Sequence, residues 1–119
     1  LSKNKGFSIT SAERYSLALY ELANEKNVLS QVEDQTLSIL SLISSSKDFS
    51  NLIKDPTNNQ ENLLKVLNDI SNNNKFENLL KNFLSFLITK RRFFYVEQIL
   101  KSFIETCSKK RGELKAELK

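Results

Sequence analysis

At 119 residues the chain is long enough to bury one hydrophobic core and too short for two. Its composition, 39% hydrophobic and 27% charged, is that of an ordinary globular domain, and two glycines with one proline leave too few turn formers for an all-β fold. The single cysteine excludes an intrachain disulfide or a thiolate zinc site, and a net charge of +4 fits a solvated lysine-rich surface better than a strongly anionic partner.

The chain opens at Leu1 and holds no Met, so it reads as a trimmed product. Residues 1–10 are too polar for a secretory signal, and no apolar run approaches the ~20 residues of a membrane span. A soluble protein of the cytosol or of an organelle matrix is expected.

Helical periodicity governs almost everything after residue 10. Thr10 with Glu13 makes a T-x-x-E capping box that predicts a helix over 11–26, closed by Asn27 as a left-handed C-cap. Ser30 with Glu33 repeats the box, and Leu29, Val32, Thr36, Ile39, Leu40 and Ile43 stripe a second helix that fades in the serines at 44–46. A short third helix over 47–54 carries Phe49, Leu52 and Ile53, and Pro56 stops it by disfavouring helical geometry in the preceding residue.

Thr57 with Gln60 caps a fourth helix bearing Leu63, Leu64, Val66, Leu67 and Ile70, and the run 71–74 reads as a loop. A fifth helix is predicted over 75–90 and a sixth over 93–111, with Gly112 as its stop signal. Residues 113–119 then alternate polar and apolar, the period of a strand. A lone strand is not stable, so this tail reads as the start of a second domain. The predicted fold is all-α: a six-helix bundle over 11–112, between a flexible segment at 1–10 and a truncated strand-like tail at 113–119.

Two of these helices carry more apolar surface than a bundle requires, because a core-facing stripe needs only a little over ~100° of the helix circumference. The sixth helix obeys this limit, with Phe93, Val96, Ile99, Leu100, Phe103, Ile104 and Cys107 on one face. Cys107 therefore reads as a small buried hydrophobe, not a reactive thiol. On the first helix Ala12, Ser16, Leu19, Tyr20 and Ala23 share one side, with Ser16 small enough for close packing, yet Tyr15, Ala18 and Leu22 continue onto a neighbouring flank bordered by Arg14. On the fifth, Phe76, Leu80, Leu84, Leu87 and Ile88 suit a core, while Leu79, Phe83 and Phe86 form a second flank beside Asn82 and Lys90. Two such flanks side by side would make an apolar groove for an amphipathic helix of a partner; the plain alternative is that both are buried in the bundle.

Residues for chemistry are missing. There is no His for acid–base work, no glycine-rich phosphate loop and no convincing metal cluster, and no cofactor is expected. The acidic neighbours Glu21 with Glu25, and Glu33 with Asp34, read as solvated helix faces. A different binding class is an RNA-binding helical bundle, since Lys90, Arg91 and Arg92 precede Phe93, Phe94 and Tyr95 as in base-stacking sites. Phe93 weighs against it, because it fits the buried stripe of the sixth helix.

The run from Ala12-Glu13-Arg14-Tyr15-Ser16 to Ala18-Leu19-Tyr20-Glu21-Leu22-Ala23 resembles the opening helix of the ATP synthase delta subunit family, which includes the mitochondrial oligomycin-sensitivity-conferring protein. The likeness continues in order through Phe49 to Pro56, through Asn82-Phe83-Leu84 to Phe93, and through Ile99–Phe103 to Arg111-Gly112-Glu113-Leu114, so it covers about residues 11 to 118. Tyr20 stands where the family usually has Phe, Leu17 where a charge is common, and Asp55 and Lys90 where Asn is frequent.

The resemblance implies a six-helix N-terminal domain of a non-catalytic stator adaptor. It implies binding of N-terminal helical segments of alpha subunits against the first and fifth helices, at Tyr15, Ala18, Leu22, Leu79, Phe83 and Phe86, with Arg14, Asn82 and Lys90 at the rim. It also implies that a second domain engages the b subunits of the peripheral stalk, and that the membrane is met only through the complex. The expected place is the inner face of the cell membrane, or the matrix side in an organelle.

Overall fold

The computed structural model describes residues 9–55, 57 and 59–118, with the side chains of 9, 10 and 113–118 outside the description. Among these residues the architecture is all-α: α1 (Ile9–Glu25), α2 (Leu29–Ser45), α3 (Lys47–Lys54), α4 (Gln60–Asn74), α5 (Asn78–Thr89) and α6 (Val96–Leu118), with one 3-10 turn (Phe93–Tyr95) leading into α6. The six predicted helices are all present.

α6 is the spine. It packs most extensively on α1 and also on α2, while α5 packs on α4 and α1. The contact of α1 with α6 is close because its α1 side is built from small residues: Ala12, Ser16 and Ala23 recur on one face around Leu19. Ser16 is fully buried, donates to the Glu13 carbonyl at 2.9 Å, and lies 3.0 Å, hydroxyl to hydroxyl, from Ser102 of α6. Leu19, Ile99, Leu100 and Phe103 fill the space around it and are wholly buried.

Helix ends explain where the predicted boundaries moved. Three helices close on a non-glycine residue in the left-handed region: Asn27 after α1 (φ 60), Lys75 after α4 (φ 53) and Arg91 after α5 (φ 60). In each the next N–H donates five residues back: Val28 to Ala23 at 2.9 Å, Phe76 to Ser71 at 3.0 Å and Arg92 to Leu87 at 2.7 Å. That closure carries α4 through to Asn74, so the asparagine run 72–74 is helix and not the predicted loop. It also shifts the start of α5 to Asn78.

The N-terminal ends differ more. Thr10 is helical, so it does not cap α1. α2 starts at Leu29, directly after the closure of α1 on Val28, which leaves Ser30 inside its first turn and no side-chain cap. Glu33 instead reaches Arg111 of α6 at 2.8 Å. Ser46 caps α3 by accepting from the Phe49 N–H at 3.2 Å. The cap of α4 is Asn59, which accepts from the Asn62 N–H at 2.8 Å, and not Thr57. Thr57 donates both its N–H, at 2.9 Å, and its hydroxyl, at 2.6 Å, to Asp55, holding that carboxyl below its ordinary range through the side-chain bond first and the backbone bond second. Pro56 lies outside the described residues.

The predicted stop at Gly112 and the strand-like tail are corrected by the backbone, which stays helical to Leu118. A helix satisfies its own hydrogen bonds, whereas a strand needs a partner. Residues 1–8 of the segment expected to be flexible, and Lys119 of the tail, lie outside the description.

Two interior groups can be tested directly. Thr36 is fully buried on α2 and its hydroxyl finds no hydrogen-bond partner among the described residues, which costs free energy that a methyl would not. Thr36→Val is expected to stabilise the fold by ~1 kcal/mol, read as a higher denaturation midpoint. Cys107 is buried, and loss of solvent, with the Glu33 carboxylate nearby, pushes its thiol from 9.0 up to about 11. The folded state thus favours the neutral thiol: its share of stability is intact below pH 9.0 and is lost as pH rises through about 11. At pH 8, alkylation of Cys107 is expected to run at least ~100-fold slower in the folded chain than in denaturant, two pKa steps of thiolate depletion.

Candidate partner-binding site

A helix turns ~100° per residue, which places the apolar surplus of α1 and α5 on their flanks. In α1 the buried arc is centred on Ala12, Ser16, Leu19 and Ala23, and Tyr15, Leu22 and Ala18 follow around the circumference in that order. The buried arc of α5 is centred on Leu80, Leu84 and Leu87. Phe83 comes next, then Lys90, Leu79, Phe86 and Asn82.

The two flanks meet. The rings of Tyr15 and Phe86 lie 6.4 Å apart, centroid to centroid, inclined at 56°. Such a tilted contact suits two aromatic quadrupoles. The Lys90 ammonium sits 5.8 Å from the centroid of the Phe86 ring, within cation–π range. Phe86 nevertheless remains 45% exposed and Leu22 41% exposed, so the meeting edge is an apolar strip open to solvent. Ala18 and Leu22 border a shallow depression completed by Glu21, Asn24 and Glu25.

Of the residues predicted for this face, Arg14, Ala18, Leu22, Asn82, Phe86 and Lys90 are exposed, and Tyr15 and Leu79 are half-buried. Phe83 departs from its predicted place on the outer flank. At 8% exposure it belongs to the core, because its position on the helix lies between the buried arc and the exposed Phe86 edge. Phe93 is likewise buried, which removes it from the basic-aromatic run at 90–95 as a stacking surface; Phe94 is exposed and meets Tyr95 edge-on at 5.3 Å.

Both ends of α5 are held by side chains from other helices. Gln35 of α2 accepts from the Glu77 N–H at 2.8 Å, satisfying a donor at the start of α5. Gln60 of α4 donates its amide to the carbonyls of Ile88, at 3.2 Å, and Thr89, at 3.1 Å, at its end. The Ile88 carbonyl also accepts from the Arg91 N–H at 3.0 Å, so Gln60 adds a second bond there and supplies a partner from outside the helix to Thr89. Sequence reasoning took Gln60 for a local cap and passed over Gln35, since a glutamine bonding across helices carries no periodic signal. Gln60→Leu is expected to cost ~1–2 kcal/mol and to speed hydrogen exchange at Lys90, Arg91 and Arg92, leaving α1 amides unchanged.

No group of His, Cys, Asp or Glu among the described residues could hold a metal ion. No helix among them is long and apolar enough to cross a membrane.

The arrangement has known counterparts. The family model for the ATP synthase delta (OSCP) subunit matches residues 12–119. The ATP synthase subunit delta of Pelagibacter ubique is 67% identical over 118 residues, covering 99% of this chain and 64% of that relative. The same subunit of Chelativorans sp. is 34% identical over 107 residues, 90% of this chain and 58% of the other. In three dimensions the chain matches one in the Toxoplasma gondii mitochondrial ATP synthase hexamer with a TM-score of 0.74 and 27% identity, over 77% of this chain and 51% of that one. The chain thus spans a little under two thirds of the first of these relatives. With the family match running nearly end to end and a relative 67% identical over 118 residues, the chain belongs to the ATP synthase delta (OSCP) subunit family.

Proposed function

We propose that this chain is the part of a stator adaptor that grips the catalytic head of a proton-translocating ATP synthase. It binds N-terminal helical segments of alpha subunits along the α1–α5 strip. A further domain beyond α6 engages the b subunits of the peripheral stalk. The role is mechanical and non-catalytic: the rotor's torque would turn the head unless something held it. The complex would place the chain at the inner face of the cell membrane, or on the matrix side in an organelle, touching the membrane only through its partners.

One observation carries this reading. Tyr15 of α1 and Phe86 of α5 meet at 6.4 Å while Phe86 and Leu22 stay exposed at 45% and 41%. Each such side chain fully covered by a partner would contribute roughly 1.5–3 kcal/mol, less the cost of ordering the partner segment. Rim charges such as Arg14 and Lys90 would steer and orient the partner, since exposed ion pairs contribute only ~0–1 kcal/mol each.

Phe86→Asp and Tyr15→Asp are expected to leave the helical circular dichroism in place and to weaken binding of the cognate alpha N-terminal peptide by at least ~100-fold in calorimetric titration. Unchanged affinity in both folded variants would remove the α1–α5 strip as the docking face.

A further inference from the structure

The strip is bordered by charge of opposite sign at its two ends. Along α1, Arg14 stands one residue before Tyr15, whereas Glu21 and Glu25 flank Leu22 and line the depression beside it. All three charged side chains are exposed. At 1.5 Å per residue, Arg14 and Glu25 are separated by ~16 Å along the helix axis, about three turns. At the Tyr15 end α5 contributes Lys90 over the Phe86 ring, followed by the exposed Arg91 and Arg92. Lys26, one turn beyond Leu22, offsets part of the acidic end, so the basic end is the stronger of the two.

Helix-end chemistry does not account for all of this charge. A helix C-terminus favours a cation, which explains Lys90. It does not explain Arg14, which lies on another helix.

Within the docking reading above, on which this rests, we infer that the strip imposes a direction on its occupant. The occupant is an amphipathic helical segment of a partner protein, with acidic side chains over the Phe86 and Lys90 end and basic side chains over Glu21 and Glu25. Placed the other way, its acids would face Glu21 and Glu25 and its cations would face Lys90, Arg91 and Arg92. Charge complementarity of this kind fixes register and suppresses wrong arrangements.

The test uses synthetic amphipathic peptides of about 18 residues, five helical turns, sharing one apolar face. One bears Glu at its first end and Lys at its last; a second has Gln in place of both. The charged peptide is prepared with a nitroxide either at its Glu end or at its Lys end, and amide signals of the chain are followed by nuclear magnetic resonance. The nitroxide at the Glu end is expected to broaden Ile88, Thr89, Lys90 and Arg91, and the one at the Lys end Leu22, Ala23, Asn24 and Glu25. Reversed or indifferent broadening overturns the direction and leaves the docking face standing; failure of both peptides to bind removes both.

The combined variant Lys90→Glu, Arg91→Glu and Arg92→Glu, checked for unchanged helicity, is expected to weaken the charged peptide about tenfold and the Gln peptide hardly at all. Equal weakening of the two overturns the inference. So does sedimentation showing that the free chain pairs through this strip with a second copy.

Discussion

The close approach of α1 to α6 is the constraint on which the rest of the molecule depends. Ser16 and Ser102 meet hydroxyl to hydroxyl at 3.0 Å, and only small side chains on α1 let the two backbones come that near. Once Ala12, Ser16, Leu19 and Ala23 are committed to α6, the rotation of α1 about its own axis is fixed. Its second apolar flank then has to point toward α5 and solvent. α5 follows the same logic from the other side: Leu80, Leu84 and Leu87 are buried completely or nearly so, leaving Phe86 at the edge. The open strip is therefore a consequence of how each helix buries its better face.

Much of this was legible in the sequence, for a physical reason. Burial on α6 follows one stripe from Val96 to Cys107, and a single stripe is what helical periodicity encodes well. Asn27 could be read as a left-handed cap because asparagine tolerates that conformation. Lys75 and Arg91 adopt it as well, but neither residue type announces it, and at Lys75 both the end of α4 and the start of α5 differ from expectation. A T-x-x-Q pattern marks Thr57 as a cap, while Asn59 does the work and Thr57 is bonded to Asp55. Local patterns compete for the same backbone donors, and the winner is decided by geometry that spacing does not contain.

The candidate face was legible in part. Counting apolar residues beyond a core stripe identified α1 and α5, yet it could not separate Phe83 from Phe86, which are three residues apart on one helix. Their exposures, 8% and 45%, differ because the boundary of the core passes between them. Leu37 and Phe94 are more exposed than Phe86 and Leu17 matches Leu22, so exposure alone does not mark a docking face. Phe86 differs from these three in its neighbours: Tyr15 of a second helix on one side and the Lys90 ammonium on the other.

The adaptor role proposed above calls for a stiff face as well as a sticky one. The supports of α5 bear on stiffness. Gln35 secures its first turn and Gln60 its last, so the backbone beneath Phe86 is tied to α2 and α4 at both ends. Fraying of either end would cost a cross-helix hydrogen bond in addition to the helix's own. The Glu33–Arg111 pair at 2.8 Å ties α2 to the far part of α6 in the same way, with Glu33 partly withdrawn from solvent. Load arriving through a segment seated on the strip would pass into α6 through the α1 contact and into α2 and α4 through the glutamines. The polar bonds that spacing could not foretell are thus the ones that would turn an apolar strip into a rigid handle.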